Sequence, residues 1–392
     1  MFSIDIAGIA ISVFFTISIL SKQKRKKADL LLLLINLNII GLLVVDAIFH
    51  IKLTHWVFFL LNVLPLYLFP LFLIFALETL QEKIHHRGRW VLIFLPALIT
   101  SAYIGSDLFI RHRYNQSQLE QLYNHPTLGY HLLCKGFPIV FIVAFIWLLK
   151  RLNKYALNIK AQYSFIDPIA LNWLSNSTWI YIFITLISLL GLITAQTQIL
   201  PISSLFVCNT VGCLLFIAIF YTSFHGIHQY TVTEYYGTKT PLPDQTDEGR
   251  REQKTAETNI QIKYKTSTLS DSEQRLIFEK VIQLFEEKKL YLEPKLQLSD
   301  VADALNISTH NLSQTINVTT GKPFYDFVNS YRVRHLQKLL EDPSQQKFTI
   351  LSMGFESGFN SKASLNRVFR QDTGLSPSEY LERHQLRQVS AV

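Results

Sequence analysis

Lys362, Ala363, Asn366, Arg367 and Arg370 fall on the outward side of a stretch whose apolar residues Leu365 and Phe369 recur one helical turn apart. Two guanidinium groups, an ammonium and a carboxamide at that spacing suit the edges of base pairs and the phosphates beside them. An earlier stretch has the same layout, because Ser308, Leu312, Ile316 and Gly321 recur 53 positions later as Ser361, Leu365, Phe369 and Gly374. There, Thr309, His310, Ser313 and Gln314 are left facing out. A helix-start residue, two core contacts and a turn glycine, twice over, predict two DNA-reading helices in one chain. The chemistry is recognition rather than bond making.

Such helices need a scaffold, and the flanking sequence predicts one. Ser270 with Glu273 forms a capping box before Leu276, Ile277, Val281, Leu284 and Phe285, so a helix of about four turns opens the domain. A first helix-turn-helix unit spans about 299–318, with Val301, Ala302 and Leu305 inward and a turn at Asn306 and Ile307. Ser308 caps its second helix. Pro323 starts a joining helix with Phe324, Phe327, Tyr331 and Leu339 on one side. A second unit spans about 349–371, with Ile350, Leu351 and Met353 in its core and a turn at Ser357 and Gly358. A rigid joint between the two would let them read adjacent major grooves about 34 Å apart.

The run GFNSKASLNRVFRQDTGLSPSEY, from Gly358 to Tyr380, resembles the signature of the AraC/XylS family of bacterial transcription regulators. The positions of Val301, Ala302, Leu305, Ser308, Leu312, Gly321, Phe324 and Arg332 are similar to the first unit of that family. The resemblance covers roughly the last quarter of the chain. It implies a domain of two helix-turn-helix units joined by a long helix, with base contacts on His310 and Gln314 in the first unit and on Lys362, Asn366 and Arg367 in the second. Gly354 stands where the family usually has Ala, and Leu336 where a small residue is common; both bear on packing.

The rest of the chain is different in kind. Of 392 residues, 49% are hydrophobic, and these are concentrated in the first half. The formal charge of +8 does not come from the DNA-reading part, since Lys295 to the end holds eleven Lys or Arg against nine Asp or Glu. Seven segments qualify or nearly qualify as spans of a bilayer core about 30 Å thick: Phe2 to Leu20, Leu30 to His50, Trp56 to Leu77, Trp90 to Ile110, Leu132 to Leu149, Trp179 to Thr194 and Ile202 to Tyr221. The first is followed, not preceded, by Lys22, Lys24, Arg25, Lys26 and Lys27, the reverse of a cleavable signal peptide, so it is expected to be retained with its N-terminus outside. The inner loops then carry twelve basic residues and the outer ones four, in accord with the positive-inside rule. The C-terminus falls in the cytoplasm. Trp56, Trp90 and Trp179 stand at span borders as interfacial anchors, and Pro65 and Pro70 should bend the third span.

Polar residues within the spans are the candidate ligand contacts. Asp46 and His50 share a face of the second span, Asn62 lies near the outer end of the third, and Asp107 and Arg111 near that of the fourth. They would line an outward-opening pocket with the external segment Arg111 to His131, or pair with one another to fix helix packing. Glu78, Glu82, His85 and His86 invite a metal, yet no HExxH pattern is present and the adjacent histidines point to different faces, so no metal is expected. Cys134, Cys208 and Cys213 read as packing residues. The expected architecture is all-α: a seven-helix transmembrane sensor domain over 1–221, a cytoplasmic linker over 222–272, and a DNA-binding domain over 273–392. The expected function is a one-component transcription regulator of the bacterial inner membrane, not an enzyme and without a cofactor. Its partners would be double-stranded DNA, the lipid bilayer and an unknown small-molecule or membrane signal, with a homodimer plausible. The competing expectations are a membrane enzyme or transporter with an appended regulatory domain, and a regulator released by proteolysis.

Overall fold

The computed structural model describes residues 2–49, 54–80, 89–110, 128–197, 204–237, 269–345 and 347–390. Its regular structure is entirely helical among these residues, apart from an isolated bridge between Tyr163 and Gln297. The chain divides into two compact units. One comprises Met1–Tyr155 and Leu171–Gln229, the other Ala156–Ala170 and Tyr230–Val392.

The first unit holds α1 (Phe2–Leu20), α2 (Lys27–Phe49), α3 (His55–Thr79), α4 (Arg89–Ile110), α5 (Leu128–Gln162, to Tyr155 in this unit), α6 (Asn172–Thr197) and α7 (Ser204–His228). The helices pack around Leu32, Phe72, Phe145, Leu148, Leu174 and Tyr181, all fully buried. Their other faces are apolar as well: Phe14, Val143, Trp179 and Leu190 are each more than half exposed, at 64%, 63%, 59% and 55%. Polar links sit inside the bundle. Asn36 on α2 donates to Ser223 Oγ on α7 at 3.1 Å, Thr222 Oγ1 bonds Ser177 Oγ at 3.2 Å, and Trp173 Nε1 donates to Gln229 Oε1 at 2.7 Å. Three stretches, Lys27–Ile48, Phe59–Thr79 and Asn172–Gly191, are long and apolar enough to cross a membrane, and Ile6–Leu20 and Leu92–Ser106 are shorter apolar helices; these were found among the described residues.

Among the described residues a helix lies over each of the seven expected segments, but three of them run further than apolarity alone suggests. α6 starts at Asn172 rather than Trp179, because Ser177 and Thr178 return their hydroxyls to the carbonyls of Trp173 and Leu174, at 3.0 and 2.7 Å, and are buried without breaking the helix. Trp179 therefore lies within the helix and not at its start. α7 passes through Thr222 and Ser223 to His228 for the same reason, Thr222 Oγ1 donating to Ala218 O at 2.7 Å, so the expected linker start at residue 222 is corrected. α5 continues beyond Leu149 through KRLNKYALNIKAQ, where Ala, Leu, Lys, Arg and Gln favour helix although the stretch as a whole is not apolar. α3 stays one helix across Pro65 and Pro70. The metal-like residues Glu82, His85 and His86, most of the linker, and the side chains of the three cysteines lie outside the described residues.

The second unit holds α8 (Val232–Tyr236), α9 (Asp271–Lys288), α10 (Leu298–Leu305), α11 (Thr309–Thr320), α12 (Phe324–Glu341), α13 (Ile350–Glu356), α14 (Lys362–Thr373) and α15 (Pro377–Ser390). The expected capping box opens α9, with Ser270 N donating to Glu273 Oε2 at 2.8 Å and Glu273 N to Ser270 Oγ at 3.3 Å. α8 has its own box between Thr231 and Glu234, so the start of the expected linker is folded. α12 is the axis of the unit. It buries not one side but most of its circumference, including Tyr325, Asn329, Ser330 and Arg332 beyond the apolar Phe324, Phe327 and Val328.

Candidate nucleic-acid interface

The sequence repeat corresponds to four repeated structural roles. Ser308 and Ser361 each cap a helix, accepting from the amides of Asn311 and Ser364 at 3.1 and 3.0 Å. Leu312 and Leu365 are buried at the first core position, and Ile316 and Phe369 at the next. Gly321 and Gly374 end the two helices in the left-handed region, at φ 67° and 79°. Ahead of each reading helix stands a shorter one. α10 is capped through Gln297 and Asp300 and turns on Asn306 at φ 54°, while α13 is capped by Thr349 and turns at Gly358 with φ 89°. Each pair is a helix, a tight turn and a second helix with one polar face outward.

Residues 301–383 match the family of the helix-turn-helix domain. This part of the chain is a helix-turn-helix domain. The chain is also similar to proteins described as uncharacterized HTH-type transcriptional regulators of Staphylococcus aureus. In strains COL, MSSA476 and N315 the identity is 28% over 119 residues, which is 30% of this chain and 16% of each relative. The chain thus spans about a sixth of the length of the curated relatives it matches. No solved structure matches it.

Within the helix-turn-helix domain, α14 presents Lys362, Ala363, Asn366, Arg367 and Arg370 to the outside, as its spacing predicts. Two of these are held by carboxylates: Arg370 Nη2 lies 3.4 Å from Glu379 Oε2, and Arg367 is paired with Asp167. On α11, Thr309 and His310 are exposed and Ser313 is half-buried, accepting from Asn317 Nδ2 at 3.4 Å. Gln314 departs from expectation. It is only 3% exposed, and its Nε2 has no hydrogen-bond partner among the described residues. His310 and Val318, one turn to either side, are exposed, so the burial of Gln314 does not follow from its helical spacing. The expected outward placement of Gln314 is therefore corrected to a buried one.

The largest unforeseen feature is Arg332. It is 1% exposed and donates five hydrogen bonds, the full capacity of a guanidinium. Nε reaches Tyr291 O at 2.7 Å; Nη1 reaches Ser164 O at 3.1 Å and Asn329 Oδ1 at 3.2 Å; Nη2 reaches Ser164 Oγ at 3.0 Å and Glu293 O at 2.7 Å. Burial pulls its pKa down to about 10, which leaves it charged at neutral pH. Its partner Ser164 belongs to Ala156–Ala170, a stretch that the sequence assigns to a loop of the membrane domain and that the structure builds into the second unit.

Of the candidate ligand residues, Asp46 and Asn62 are half-buried within the first unit and engaged with neighbours. His50, Arg111, the segment 111–127 and the side chain of Asp107 lie outside the described residues.

Proposed function

We propose that this chain is a membrane-embedded one-component transcription regulator. The first unit sits in the inner membrane with its N-terminus outside, senses a small-molecule or membrane signal, and alters sequence-specific DNA binding by the cytoplasmic helix-turn-helix domain. The observation that carries this is one chain joining a capped, outward-facing reading helix with Lys362, Asn366, Arg367 and Arg370 to a bundle whose outer faces are apolar. Side chains such as Phe14, Val143 and Leu190, exposed on three different helices, suit a lipid environment. The skew of basic residues toward one side of the spans supports the topology. The regulators of Staphylococcus aureus are named for transcription, and this chain is similar to them over 119 residues.

Asp46, His50, Asn62, Asp107 and Arg111 are proposed to line the signal's pocket, and two chains to pair on DNA. Genome-wide mapping of DNA bound by the intact chain tests the function, with Lys362→Ala and Asn366→Ala as controls. Discrete sites lost in both variants are expected. A C-terminal fusion to a reporter active only in the periplasm should stay dark; a bright fusion overturns the topology.

A further inference from the structure

α14 has its own occupant within the second unit. Ala156–Ala170 is fixed there by seven contacts of different kinds. Ser164 N donates to Leu296 O at 3.1 Å, and Ser164 O and Oγ accept from Arg332 and Asn329. Phe165 O accepts from the Tyr236 hydroxyl, and the Tyr163 ring lies against that of Tyr236 at 4.4 Å between centroids. Lys160 Nζ stands 5.9 Å from the centre of the Tyr325 ring. Tyr163, Ser164, Phe165, Ile166 and Ile169 are buried, so this stretch is a fixed part of the unit and not a passing loop. Past that anchor the chain surfaces at Asp167, whose carboxylate takes the guanidinium of Arg367 in the middle of the reading face.

We propose that Asp167 is an intrachain competitor for the DNA-reading surface: its carboxylate stands where a nucleic-acid acceptor would otherwise meet Arg367, and DNA binding through Arg367 requires that ion pair to open. The inference rests on the assignment of α14 to DNA and adds a control to it. A guanidinium held by one carboxylate is not free for a phosphate or guanine, and a carboxylate at that spot also repels the duplex backbone. The anchor and the competitor occupy one short stretch that begins as the end of α5.

The test uses the full chain in lipid nanodiscs and a labelled mixed-sequence duplex of about 40 base pairs, titrated at fixed salt. Asp167→Asn is expected to bind about three- to tenfold tighter than the parent, a range somewhat above an exposed ion pair alone because the repulsion on phosphate is also lifted. Arg367→Ala should bind more weakly, and adding Asp167→Asn to it should recover less than half of the gain seen in the parent. Lys362→Ala, which touches neither residue's partner, reports on α14 itself. If Lys362→Ala weakens binding while Asp167→Asn leaves it unchanged or weaker, the competitor is overturned and DNA binding by α14 stands. If neither variant changes binding, the assignment of α14 falls and the competitor with it. A gain from Asp167→Asn of the same size with and without Arg367 also overturns it, since simple loss of a negative charge would then suffice.

Discussion

Arg332 donates to both the backbone oxygen and the hydroxyl of Ser164, a residue 168 positions earlier that the sequence places between two apolar helices. The same guanidinium holds the carbonyls of Tyr291 and Glu293, so one cation at the centre of α12 ties three separate stretches of chain together. No carboxylate accepts from it among these bonds; the charge is met by oriented carbonyl dipoles and by the hydroxyl and amide side chains of Ser164 and Asn329. Arginine suits this role because its planar fork presents five donors in fixed directions.

Lysine at 332 should therefore fail despite keeping the charge. It offers three donors on a point-like ammonium and strands several buried carbonyls, a change expected to cost about 3–5 kcal/mol, as for a broken buried ionic network. Ser164→Ala removes one charge-assisted bond and should cost about 1.5–3 kcal/mol. Hydrogen exchange at the Ser164 amide, bonded to Leu296 O, reads both. Unchanged protection in Arg332→Lys would refute this account of the unit.

Gly358 and Gly374 share a left-handed backbone but not their surroundings. A Cβ at 358 would stand 2.7 Å from Tyr291 O and 3.0 Å from Arg332 Nε, while at 374 it would meet nothing within 4 Å. Gly374→Ala should then cost only the conformational penalty, about 1 kcal/mol. Gly358→Ala adds a backbone clash that has no flexible end to yield, so about 2–4 kcal/mol is expected. Urea unfolding monitored in the second unit should separate the two; equal losses would mean that the turn at 358 relaxes freely.

What the sequence made legible follows from how each feature is encoded. Caps and turns are short-range, and so Ser308, Ser361, Gly321 and Gly374 were readable from residue type and spacing. Apolar runs marked seven helices but not their ends, because Ser177 and Thr222 bury hydroxyls by bonding one turn back, which no hydropathy window registers. Nothing in the sequence marks Arg332 and Asn329 on α12 as buried, since their partner Ser164 lies far along the chain. Gln314 was misplaced for a related reason: helical period gives a direction, not what covers it. Gly354, an apparent departure in packing, has a local counterpart, as a Cβ there would sit 2.6 Å from Cδ2 of the buried Leu365.

Reading-face substitutions should sort by chemistry. On the proposed assignment Lys362→Ala and Arg370→Ala remove cations placed to meet phosphates and should weaken binding about evenly across sequences, each lowering the salt slope by about one. Asn366→Ala should instead relax preference at one base pair, worth about 1–3 kcal/mol there. Gln314→Ala, buried as it is, should leave specificity alone and act through stability. Selection of bound sequences from a random duplex pool, repeated at two salt concentrations, checks all four; a changed motif in Gln314→Ala would return that residue to the interface.

His335 gives the second unit a pH dependence of definite sign. Its ring bonds Ser357 Oγ at 3.2 Å, and burial first, then the nearby Lys289, lowers its pKa against a smaller opposing pull from Glu356. The folded state therefore binds a proton less readily than the unfolded one, whose histidine titrates near 6.5. Above that pH both are neutral and the residue contributes no slope. As pH falls below it the unfolded chain gains a proton that the folded one resists, so stability declines, by no more than about 1.4 kcal/mol per pH unit for one site. His335→Gln keeps a hydrogen-bonding side chain and removes the titration. Unfolding of the second unit in urea at about pH 7.5 and about pH 5.5 should show a loss in the parent that is smaller in the variant. Equal losses would assign the acid sensitivity to other groups.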